Sequence, residues 1–131
     1  MKKRRVIIAD SSQNLLEGIR CLMNTIFDYV VMVADMESML DSASGMDADL
    51  VICDLSLGAG RLEQAIDSLK TISPRIKVML LSIYDEPAAI REAISSGADG
   101  LVFKRSAAED LIPAVEKIMA GGTFFSAVHE K

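Results

Sequence analysis

Asp10, Asp54, Ser82 and Lys104 each stand directly after a short apolar run, namely Val6-Ile7-Ile8-Ala9, Leu50-Val51-Ile52-Cys53, Val78-Met79-Leu80-Leu81 and Leu101-Val102-Phe103. Two carboxylates attract a hard divalent ion such as Mg2+, which prefers oxygen ligands and keeps several of its waters. A carboxylate beside such an ion can act as a nucleophile toward phosphorus and become an acyl phosphate. A lysine would then neutralise charge on the phosphoryl oxygens while a hydroxyl hydrogen-bonds to one of them. Any one of the four could be an ordinary loop residue, since turns favour Asp and Ser on their own account. Four such residues at four strand ends call for a common explanation.

For that chemistry the four runs must be neighbouring strands, and the intervening periodicity supplies the connections. After Asp10-Ser11-Ser12-Gln13-Asn14, the residues Leu15, Leu16, Ile19, Leu22, Met23 and Ile26 recur at helical spacing. Tyr29 to Ala34 is a β-branched strand, and Met36, Met39, Leu40 and Ala43 mark a short helix closing near Gly45. A loop with Gly58 and Gly60 leads to Leu62, Ala65, Ile66, Leu69 and Ile72, and Ser73-Pro74 stops that helix. Asp85-Glu86-Pro87 opens the next helix, with Ile90, Ala93 and Ile94 facing inward and Gly97 at its end. Ser106 with Glu109 predicts a capping box for the last helix, lined by Leu111, Val115, Ile118 and Met119. Pro113 predicts a kink or a later start there.

The count is five β-α units with continuous apolar strands. Such strands are covered on both faces, which implies a parallel sheet between two helical layers. The expected fold is an α/β, flavodoxin-like three-layer sandwich with strand order 2-1-3-4-5 and five helices, in which ligands sit at the carboxyl ends of the strands. Adjacent strands lie about 4.8 Å apart, so Asp10 and Asp54 would be close enough to share one cation.

Composition narrows the class. The chain has 131 residues, 50% hydrophobic and 25% charged, which suits one domain and excludes disordered or low-complexity classes. A net charge of -5 argues against a general nucleic-acid binder. Lys2, Lys3, Arg4 and Arg5 precede an apolar stretch that Asp10 cuts too short for a secretory signal, and no run is long enough to span a membrane. Cys21 and Cys53 lack CxxC spacing, sit inside apolar segments and read as buried reduced thiols of a cytoplasmic protein. The eight methionines fall mostly at core spacing, and the lone His129 sits in a polar tail where no ligand role is expected.

At this point the sequence resembles the receiver domain of two-component response regulators, over residues 4 to 121. The resemblance is carried by Val6-Ile7-Ile8-Ala9-Asp10, by Asp49-Leu50-Val51-Ile52-Cys53-Asp54-Leu55, by Val78-Met79-Leu80-Leu81-Ser82, and by Gly97-Ala98-Asp99-Gly100-Leu101-Val102-Phe103-Lys104. Ser82-Ile83-Tyr84 and Gly121-Gly122-Thr123-Phe124-Phe125-Ser126 are similar to the NarL/FixJ (LuxR-type) subgroup, whose receivers precede a helix-turn-helix DNA-binding domain. The resemblance implies that Asp54 accepts a phosphoryl group from a sensor histidine kinase. It implies that Asp10 and Asp54 ligate Mg2+ together with the backbone carbonyl of Ser56. Ser82 and Lys104 would contact the phosphoryl group. The expected organisation is a receiver at 1-121 with a linker or tail from 122 to 131. The implied protein is cytoplasmic and no enzyme beyond self-phosphorylation and dephosphorylation at Asp54. It would homodimerise, make no membrane contact, and reach DNA only through an output domain absent from this chain, which is expected to be an excised receiver rather than a stand-alone regulator.

Three departures from the family pattern bear on that reading. Ser11 stands where the family has a second acidic metal ligand, so Mg2+ binding is expected to be weakened or lost. Leu57-Gly58-Ala59-Gly60-Arg61-Leu62 lacks the family's proline, and its glycines predict a mobile loop. Leu101 takes the place of the switch aromatic, a role the loop residue Tyr84 could fill only in part. These favour an alternative, a phosphorylation-independent pseudo-receiver acting as an interaction or dimerisation module. A flavin or nucleotide binder is a third reading, disfavoured because no glycine-rich phosphate loop follows the first strand.

Overall fold

The computed structural model describes residues 4–58 and 60–126, with the backbone alone for 13–16. His129, Ala59 and the side chains of Leu15 and Leu16 lie outside the described residues. Among the described residues six strands and five α-helices alternate: β1 (Arg5–Ala9), α1 (Gln13–Met23), β2 (Tyr29–Val33), α2 (Met36–Met46), β3 (Leu50–Asp54), α3 (Leu62–Ile72), β4 (Lys77–Ser82), α4 (Pro87–Ser95), β5 (Gly100–Phe103), α5 (Ala107–Met119) and β6 (Phe124–Phe125). The sheet order is β2-β1-β3-β4-β5-β6, every pair parallel. The expected 2-1-3-4-5 arrangement is present, and the two-residue β6 extends it beyond β5.

Continuous apolar strands arise because both faces are covered. Ile7, Val51, Val78, Leu80 and Leu101 pack with Met39, Ile66 and Ala93 from α2, α3 and α4. Val6, Ile8, Ile52, Met79 and Val102 pack with Ile19 of α1 and Leu111, Val115 and Ile118 of α5. Each such fully buried side chain contributes about 1.5–3 kcal/mol, so the sheet is the rigid part from which the loops project. Asp99 ties two strand entries together, accepting from Val78 N at 2.9 Å and pairing with Lys70 at 3.1 Å.

Local chemistry differs from the sequence reading at several ends. α2 runs past Gly45 to Met46 and closes on Asp47 in the left-handed region (φ 49°), a conformation a short polar side chain tolerates. Ser106 makes no cap. Its one hydroxyl proton is shared between Phe103 O at 3.2 Å and Asp110 Oδ2 at 3.1 Å, so the capping box does not form. α5 begins at Ala107 and passes through Pro113, which lies on the exposed side. Ile94 is 56% exposed because Ala89 and Ala93 form the buried stripe of α4. Leu55–Gly58 is one turn of 3-10 helix rather than an open loop, and a Cβ on Gly58 would meet Leu62 Cβ at 2.9 Å.

Candidate functional site at the carboxyl ends of the strands

Register alone assembles the four residues. Ala9 pairs with Cys53, so Asp10 and Asp54 leave neighbouring strands side by side. Asp54 pairs with Leu81, one residue before Ser82, and Ser82 pairs with Phe103, one before Lys104. The ends of β1, β3, β4 and β5 therefore present the carboxylates, the hydroxyl and the ammonium at one level.

The electrostatics centre on Lys104. Its Nζ lies 2.7 Å from Asp10 Oδ2 and 3.6 Å from Asp54 Oδ2. All three side chains are buried, Asp10 completely. Asp10 Oδ1 accepts from Ser12 N at 2.8 Å, whereas Oδ2 takes no hydrogen bond, so its contact with Lys104 is an ion pair without hydrogen-bond alignment. The three groups leave one net negative charge, which Ser11 does not change; Ser11 is exposed and neutral.

Asp54 is held at the floor of an open cleft of about 240 Å³, lined among others by Ser56, Gly60, Ser82, Tyr84 and Glu92. The Ser56 hydroxyl donates to Asp54 Oδ2 at 2.6 Å. Ser82 is turned away from Asp54: its hydroxyl donates to Tyr84 O at 2.9 Å and accepts from Tyr84 N at 3.0 Å. Beneath Asp54, burial pushes the Cys53 thiol up to about 12, aided by the charges of Asp54 and Asp10. Leu101 is fully buried within β5, on the face covered by α2, α3 and α4.

A larger cavity of about 680 Å³ opens at the other end of the sheet, between Tyr29, Met46, Ile72 and Pro74. It holds no convergent set of acids, and volume alone does not make a reactive site. Among the described residues no group of three or more His, Cys, Asp or Glu could hold an ion. Asp10 and Asp54 together offer a two-carboxylate oxygen set, with Asp10 Oδ2 the oxygen left without a hydrogen bond. Such oxygens fit a hard divalent ion in type, although Lys104 competes for them and the neutral Ser11 adds no charge.

Two participants escaped the sequence reading. The hydroxyl of Ser56 donates to Asp54, whereas the family resemblance implies a role only for its carbonyl; its spacing two residues past a strand-end acid is the signal for that contact. Glu92 reaches the cleft from the surface of α4, where nothing in its sequence neighbourhood distinguishes it from a solvated charge.

Residues 6–116 match the response regulator receiver domain. The chain is 31% identical over 127 residues to the Fimbriae Z protein of Escherichia coli (strain K12), covering 95% of this chain and 60% of that protein. It is 28% identical over 130 residues to the transcriptional regulatory protein RcsB of the same strain, again covering 95% and 60%. The isolated receiver domain of RcsB from Salmonella enterica serovar Typhimurium, in its apo form, superposes with a TM-score of 0.80 at 28% identity, covering 95% of this chain and 94% of that one. The chain spans 54% to 60% of the length of such curated relatives. No helix among the described residues is long and apolar enough to cross a membrane. With the doubly wound parallel sheet, the acids side by side on β1 and β3 and a family match across most of its length, this chain belongs to the response regulator receiver domains.

Proposed function

We propose that Asp54 accepts a phosphoryl group from the phosphohistidine of a sensor histidine kinase and that the chain relays this event to an output domain. The observation that carries the reading is a cleft-floor carboxylate, Asp54, beside a buried lysine already shared with a second acid. In the transfer an Asp54 oxygen attacks phosphorus, the P–N bond of the donor breaks, and the imidazole departs. Ser56 must release Oδ2 as this happens. Lys104 has the reach to leave Asp10 for the phosphoryl oxygens, and Ser82 can rotate toward them only by giving up both bonds to Tyr84. That exchange of partners supplies the differential contacts a two-state switch needs, and it acts directly on the β4–α4 loop.

Mg2+ would be held by Asp10, Asp54 and the Ser56 backbone carbonyl, with Ser11 a poor fourth donor. When bound it would add positive charge opposite the phosphoryl oxygens. The output reading rests on relatives named as transcriptional regulators, of which RcsB has been solved in complex with DNA and as dimers on DNA. A cytoplasmic receiver that dimerises and controls transcription through a helix-turn-helix domain follows from that likeness. The second reading, a pseudo-receiver, is favoured by Ser11, by the buried Leu101 and by Lys104 already paired with Asp10.

An NMR amide titration with beryllofluoride, with and without Mg2+, separates the two. Mg2+-dependent shifts at Asp54, Ser82 and Lys104 that spread into α4 and β5 are expected. Absent or purely local shifts at millimolar Mg2+ would overturn the acceptor reading in favour of the pseudo-receiver.

A further inference from the structure

We infer that Ser126 and Asp110 are positioning residues for Lys104, so that the chain leaving the last strand is mechanically tied to the acceptor site. This rests on the reading of Lys104 as the residue that meets the phosphoryl group. Lys104 lies in a three-residue 3-10 turn, Lys104–Ser106, between β5 and α5. Both flanks of that turn are gripped by one hydrogen-bond chain. Before it, Phe103 N donates to Ser126 Oγ at 3.2 Å. Ser126 Oγ donates onward to Asp110 Oδ2 at 2.9 Å. After the turn, Ser106 Oγ lies 3.1 Å from the same Asp110 oxygen and 3.2 Å from Phe103 O, its single proton shared between these two acceptors.

Ser126 is 2% exposed and its own N–H donates to Leu101 O at 2.9 Å, so this is a buried anchor rather than a surface contact. The approach of β6 that delivers Ser126 depends on Gly100. A Cβ there would lie 2.7 Å from Phe124 O and 2.5 Å from Ile118 Cδ1. Charge-assisted bonds to a carboxylate are stronger than neutral ones, and a shared acceptor couples the two serines that use it. If Lys104 shifts from Asp10 toward a phosphoryl group, the turn moves against Ser106 and Phe103. The Ser126 anchor then loosens and whatever follows residue 126 feels the event.

The test uses the whole chain and the variants S126A and D110N, with T71A on distant α3 as control. Without any phosphoryl mimic, both variants are expected to shift the amide signals of Lys104 and of Ser12, which reports on Asp10 through its bond to Oδ1. A merely structural anchor would move only residues near 99–126. With beryllofluoride and Mg2+, S126A is expected to weaken uptake about tenfold while T71A stays near wild type. Shifts confined to residues 99–126, or unaltered uptake in S126A where wild type binds, would overturn the inference. Failure of wild type itself to take beryllofluoride would remove the acceptor reading, and the mimic-free shifts would still decide the coupling.

Discussion

Replacing Lys104 with methionine tests the electrostatics of the site most directly, because the side-chain stem is nearly conserved and only the charge is lost. At an effective dielectric of 20, contacts of 2.7 and 3.6 Å correspond to gross attractions of about 6 and about 5 kcal/mol. Desolvation offsets much of this in the intact pair, but removing one partner leaves the other charge buried, which costs about 3–5 kcal/mol. The damage should fall mainly on Asp10. Its side chain is 0% exposed and Oδ2 has no hydrogen bond, whereas Asp54 keeps the Ser56 hydroxyl at 2.6 Å and opens into the cleft. For a urea slope of about 2 kcal/mol/M the unfolding midpoint of K104M should drop by about 2 M. Adding D10N to K104M should recover more of the loss than adding D54N, since only the former removes the stranded charge. A midpoint within about 0.5 M of wild type, or better rescue by D54N, would refute the assignment of Lys104 as the counter-ion of Asp10.

S11D restores a carboxylate about 4 Å from a bound ion, worth about 4 kcal/mol at the same dielectric before desolvation, and should raise Mg2+ affinity at least about tenfold by calorimetry; no change would sink the idea that Ser11 limits binding. Cys53, with its thiol pushed up to about 12, should stay unmodified by thiol reagents while exposed Cys21 reacts, until urea unfolds the chain. The unfolded thiol gives up its proton near its ordinary value of 9.0 while the folded one keeps it. Between these values the unfolded state binds fewer protons, so stability should fall by about 1.4 kcal/mol per pH unit from this group, a slope that C53A removes. G100A should cost about 1–3 kcal/mol, because the new Cβ collides with Ile118 Cδ1 and Phe124 O, and should speed amide exchange at Ser126.

The strand ends were legible because a parallel strand buried on both faces must be a continuous apolar run, and the first polar residue marks where it emerges. That logic puts Asp10, Asp54, Ser82 and Lys104 at one edge of the sheet, where the strand register has them. Strand β6 escaped it because two residues, Phe124 and Phe125, are too few to show a period and follow two glycines that read as a linker. Ser106 has the spacing of a cap, yet Asp110 and the Phe103 carbonyl offered its hydroxyl better partners, a tertiary competition invisible to local pattern. Ile94 continues the spacing of Ile90, but α4 turns its two alanines to the sheet, so the wider stripe read from sequence overshoots its edge.

Ser11 and Lys104 have to be read together. A third carboxylate would leave the resting site with two net negative charges after Lys104 is counted, and a divalent ion would be the natural remedy. With serine at position 11 only one remains. If Asp54 is the acceptor, a serine at position 11 would both loosen the hold on Mg2+ and lessen the need for it, since transfer of Lys104 from Asp10 to a phosphoryl group then strands Asp10 alone, with no further acid at the exposed position 11. A ligand shifts a two-state equilibrium only by its differential affinity, and here the competition is explicit: Asp10 at 2.7 Å offers the lysine a single charge, whereas a phosphoryl group on Asp54 offers nearly two. On the proposed reading the switch is thus biased at the lysine. The Ser126 anchor, which fixes where that lysine can go, becomes as much a determinant of the response as the acids it serves.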